Sequence, residues 1–332
     1  MGDNKENIPA LAILKHNFGR PHVMTWGWAV MLMSLITLAV FGLRCFLNDP
    51  DFLFPATSIV GCSALLILET LCVLVFPAVL CSRGIEDQTG GYYTGIGTLI
   101  LSLISGIPLM MIRIPLYNIM AWITLRFGGK SVYPVFFHAD PTSNYATALT
   151  ILSDNIIPAF GIALFFFGFL WTRFKSTDRF QAYVVITAVF VLFSMDYTSI
   201  LALIATGIWC CYLRSRVHNM WGPFLCLISM KLSEMLLPGT LSRIDIFEVQ
   251  TYADIGSTYF YSSLPSFFMG MVLILFFIRM LDSFSISVRH EITGSEYDES
   301  IPAFDKSINL SLLLTLAAFI TLWVLILKGV YL

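Results

Sequence analysis

The stretch Asn144-Tyr-Ala-Thr-Ala-Leu-Thr-Ile-Leu-Ser-Asp-Asn-Ile-Ile-Pro-Ala-Phe-Gly-Ile-Ala-Leu-Phe-Phe-Phe-Gly-Phe-Leu-Trp-Thr-Arg173 decides the fold. It is long and apolar enough to cross a bilayer, yet it carries Ser153, Asp154 and Asn155 in its middle and Pro158 just after them. A carboxylate at the centre of a spanning helix costs at least a few kcal/mol, so Asp154 must face the interior of a bundle or a wet cavity. The chain is therefore expected to be all-α, a polytopic transmembrane helical bundle assembled around that residue.

The composition agrees. Hydrophobic residues make up 57% of the 332 and charged residues 12%, with a mean hydropathy of +0.81, a membrane composition rather than a soluble one. The polar stretches, the first twenty-odd residues and the segments 239–258 and 282–307, are each too short to enclose a core. Function must then lie in the membrane or at its surface. A formal net charge of −2 offers no electrostatic footprint for nucleic acid. Cysteines 45, 62, 72, 81, 210, 211 and 226 sit almost entirely within apolar runs without metal-ligand spacing, and read as small buried hydrophobes.

Working outward from Asp154, apolar runs occur at about 24–47, 57–81, 94–112, 145–171, 181–195, 198–213, 219–237, 262–280 and 308–330, which predicts about nine spans. The fifth and sixth are short and separated by Asp196 and Tyr197, as in a tight helical hairpin. The polar start, with Lys5, Lys15 and Arg20 and no small-residue cleavage site after the first apolar run, reads as a cytoplasmic tail over 1–23 before a retained first span. With that end inside, most of the Lys and Arg fall on the cytoplasmic side, which supports an odd number of spans and a C-terminus outside.

The chain then divides into the tail, spans one to three over 24–143, a core of spans four to seven over 144–237, and spans eight and nine over 238–332 with a cytoplasmic loop at 282–307. The segment 113–126, flanked by Arg113 and Arg126 and broken by Pro115, reads either as a continuation of the third span or as a helix in the interface. The interface is preferred because it lets Arg113 snorkel to headgroups.

Four ionisable residues remain well inside spans: Glu69 in the second, Asp154 in the fourth, and Lys231 and Glu234 in the seventh. Ser194 and Asp196 lie at the end of the fifth. Lys231 and Glu234, three apart, can touch on one helix, but a buried lysine gains more from Asp154 if spans four and seven are neighbours. An ion pair between Asp154 and Lys231 is the expectation. Asp154 and Glu234 are hard oxygen donors better matched to water or a lysine than to zinc, so neither a metal nor any other cofactor is expected.

Residues 154–237 resemble the core of the CPBP family, the CAAX-processing endoproteases and bacteriocin-immunity-related membrane proteins, whose motifs are EExxxR, FxxxH and HxxxN. The first falls on Asp154, Asn155 and Ala159, on a helix ending in Arg173 and Lys175; the second on Phe190 to Ser194; the third on Met230 to Glu234. The spacing is kept and the chemistry is not: Asp-Asn stands for the glutamate pair, Ala159 for the arginine, Ser194 and Met230 for the histidines. Peptide hydrolysis needs a base for water and a group for the oxyanion, or a metal for both.

The resemblance therefore implies a catalytically inactive, intramembrane-protease-like protein that acts as a binding or scaffold subunit of a membrane complex, in the bacterial cytoplasmic (inner) membrane. Its partners would be the lipid bilayer and another membrane protein, not nucleic acid. The alternatives are an active, divergent CPBP-type endopeptidase in which Glu234 supplies the second carboxylate, and a transporter or permease subunit that uses the buried charges as a path.

Overall fold

A computed structural model describes residues 26–47, 59–82, 95–127, 144–173, 179–236, 244, 258–292 and 310–327. These form helical rods and no extended strand, as they must in hydrocarbon, where each backbone N–H and C=O has to be bonded within its own segment. In chain order the rods are α1 (Trp26–Leu47), α2 (59–81), α3 (Ile96–Phe127), α4 (144–173), α5 (Arg179–Ser194), α6 (Ile200–Val217), α7 (Trp221–Leu236), α8 (Thr258–Ile292) and α9 (Leu310–Leu327). Among the described residues five are long and apolar enough to cross a membrane, falling within α2, α3, α4, α6 and α8; α1, α5 and α9 contain shorter apolar helices. The protein is thus an all-α, multi-pass membrane protein. The tail at 1–23 and the stretch 293–307 of the expected loop lie outside the described residues.

The second half of α4 is the centre of the bundle. Residues 163–170 are buried on every side, as expected of a helix apolar all round. Phe166 packs edge-on against Phe190 of α5 at 5.3 Å between ring centroids. Around this core α3 packs on α6, α7 and α8, while α1 pairs with α9 and α5 with α6. At Gly106 the backbones of α3 and α7 touch: a Cβ there would lie 2.6 Å from the Cys226 carbonyl oxygen and 2.6 Å from the Met230 nitrogen, so only glycine allows the approach.

Two expectations differ from what forms. The segment 113–126 is not a separate interfacial helix; α3 runs through Pro115 to Phe127. It can do so because the two groups that favoured a break are satisfied inside the bundle. Arg113 meets Glu234, and the Met111 carbonyl, which Pro115 cannot bond for want of an N–H, accepts the Ser266 hydroxyl of α8 at 3.1 Å. Similarly, the hydrophilic stretch from Asp282 does not begin as a loop. α8 continues to Ile292, and Asp282 accepts the Tyr212 hydroxyl at 2.9 Å and pairs with Arg216 at 2.9 Å.

Candidate functional site

The site begins with a proline. Pro158 has no N–H for the carbonyl four residues back, which is that of Asp154, and the α4 backbone just before it is π-helical over Ile151–Ile156. The released carbonyl is taken by Lys231 of α7, whose Nζ donates to the Asp154 main-chain oxygen at 2.7 Å. α4 and α7 therefore meet where expected, but not by the expected ion pair. The Asp154 carboxylate accepts instead from its neighbour Ser153, at 2.9 Å, and Ser153 Oγ lies 3.3 Å from Ser63 Oγ on α2. A main-chain carbonyl stripped of its donor is a fixed acceptor that must be bonded, whereas a partly exposed carboxylate has other recourse.

One turn further along α7, Glu234 is bound by Arg113 of α3, Nη1 to Oε1 at 2.8 Å, with the two side chains 18% and 23% exposed. The same guanidinium nitrogen lies 3.9 Å from Met230 Sδ. The close passage at Gly106 sets this up, since Arg113 follows two turns later on α3 and Glu234 one turn after Met230 on α7. Lys231 and Glu234 thus each find a partner on a different helix rather than each other. Two cations and two carboxylates balance in charge.

The remaining candidates are held elsewhere. The Ser194 hydroxyl donates to the Val191 carbonyl of its own helix at 2.8 Å. Asp196 caps the short turn Tyr197–Ser199, accepting from the Thr198 N–H at 2.9 Å and from the Thr198 and Ser199 hydroxyls, so it shapes the α5–α6 corner. Ala159 is fully buried, Asn155 is partly exposed beside Asp154, and Glu69 is partly buried on α2. Among the described residues no three of His, Cys, Asp and Glu gather closely enough to hold a metal ion.

Two cations that the sequence does not single out as site residues, Arg113 and Arg214, are held inside the bundle. Arg214 is buried, and its Nε donates at 2.7 Å to the Phe167 carbonyl, inside the second π-helical stretch of α4, Ala163–Leu170. The proline offset could have marked the Asp154 carbonyl in advance; no sequence signal marks Phe167. Together Lys231 and Arg214 cap two main-chain oxygens of α4, and Arg113 pairs with Glu234. Chemically this is a set of engaged charges, with neither carboxylate beside an imidazole. No family model, no curated protein and no solved structure matches the chain.

Proposed function

We propose that this protein is a catalytically inactive, CPBP-like membrane protein of nine spans that serves as a binding or scaffold subunit of a membrane complex in a bacterial inner membrane. The observation that carries the reading is the Lys231–Asp154 contact beside the Arg113–Glu234 pair. Of the positions set against the family motifs, Asp154 gives its main-chain oxygen to Lys231 and Glu234 its carboxylate to Arg113, so both are spent on holding α3, α4 and α7 together. A carboxylate whose oxygen is occupied by a guanidinium is poorly placed to take a proton from water, which a general base must reach directly. Purified protein mixed with a membrane-anchored peptide is expected to leave it intact. Cleavage that disappears in both Asp154→Ala and Glu234→Ala would establish the divergent-endopeptidase reading in its place.

Orientation is part of the proposal. The basic residues favour the N-terminus in the cytoplasm and the C-terminus outside. A cysteine introduced as Tyr297→Cys is expected to resist a membrane-impermeant thiol reagent in intact cells and to react after permeabilisation. Labelling from outside would reverse the assignment.

A further inference from the structure

Between α5 and α6 lies a cavity of about 850 Å³, open along one side. Its walls are apolar, from Val184, Ala188 and Leu192 on α5 and Ile204 and Ile208 on α6, and its polar residues lie toward the end marked by Phe180 and Arg216. From Phe180 to Leu192 is twelve helical steps, roughly 18 Å, close to the hydrocarbon depth of one leaflet, about half of a ~30 Å core.

The mouth is chemically distinct from the groove. Tyr183 and Ser215 are hydrogen-bonded across the two helices at 3.1 Å. Arg216 lies with its guanidinium 5.5 Å from the Tyr212 ring centre and pairs through one Nη with Asp282, while its side chain remains 37% exposed. A guanidinium carries five N–H donors, so this one keeps some for another acceptor. The described elements at this end are basic in sequence: Arg179 opens α5 and Arg214 and Arg216 close α6, against Asp282 of α8, and of the three Arg214 is already spent on the Phe167 carbonyl.

We propose that the α5–α6 groove is a binding site for a phospholipid with an anionic headgroup, its acyl chains along Val184, Ala188 and Ile208 and its phosphate at Arg216. Apolar depth matched to one leaflet, with surplus positive charge at one end only, is the complement of such a lipid. The site is separate from the Asp154–Lys231 cluster, so it does not depend on whether that cluster is catalytic.

The test exposes detergent-purified, delipidated protein to vesicles of equal phosphatidylglycerol and phosphatidylcholine and counts retained lipids by native mass spectrometry. Retained phosphatidylglycerol should exceed phosphatidylcholine several-fold. Ala188→Phe, which adds a ring to an exposed position of the groove, should abolish retention, while Leu264→Phe on the exposed face of α8 should not. Arg179→Gln with Arg216→Gln should bring the two lipids to parity. Equal retention of both lipids by the unaltered protein would mean ordinary boundary lipid and overturn the proposal, as would full retention in Ala188→Phe, or a polypeptide rather than a lipid released by that variant. Should Ala188→Phe fail to fold, the arginine pair decides: an undiminished preference for phosphatidylglycerol refutes the site.

Discussion

Glu234→Leu is expected to destabilise the protein in mild detergent by about 3–5 kcal/mol, the range for removing one partner of a buried ion pair. It strands Arg113, whose side chain is only 18% exposed, and leaves Lys231 as a second cation on the facing helix. Arg113→Met should cost less, because the Glu234 carboxylate can then turn to Lys231, three residues earlier on the same helix face. This asymmetry separates a buried pair from a surface one, for which both changes would stay below about 1 kcal/mol. The double change Arg113→Met with Glu234→Leu should cost far less than the two single effects added, since no charge is left alone. Thermal unfolding of the four proteins measures the cycle, and simple additivity would mean that the two residues do not interact.

The second large effect concerns Lys231. Lys231→Met leaves the Asp154 carbonyl without a donor and is expected to cost about 1–3 kcal/mol, the penalty for an unsatisfied buried polar group. In a Pro158→Ala background the cost should shrink markedly, because residue 158 then has an N–H that can close the helical bond to that oxygen. Asp154→Leu gives the opposite control. The contact is with the main chain, so the coupling of Lys231→Met with Asp154→Leu, which reports only the attraction of two nearby charges, should be smaller than its coupling with Pro158→Ala. Strong coupling between Asp154 and Lys231, with none between Pro158 and Lys231, would mean that the lysine serves the carboxylate after all.

An all-α membrane protein, the approximate place of each helix and the meeting of two of them at Asp154 are legible in the sequence, whereas the continuation of α3 to Phe127 and of α8 to Ile292 is not. Each expected apolar run overlaps one of the rods, and the Asp154 stretch leads into the buried core of α4. Those features are legible because a backbone in hydrocarbon has almost no choice but to be helical, so the position and length of apolar runs fix the elements. Which atoms meet was decided only by the tertiary structure. Arg113 finding Glu234, Lys231 choosing a carbonyl over a carboxylate, and Arg214 turning inward to Phe167 all depend on how each helix is rotated about its axis. In a soluble helix the apolar stripe reveals that rotation. Here lipid and protein interior are equally apolar, so the face that α3 turns to α7 is set instead by the close approach at Gly106, and the carbonyls that need partners by where prolines and π-helical turns break the ladder.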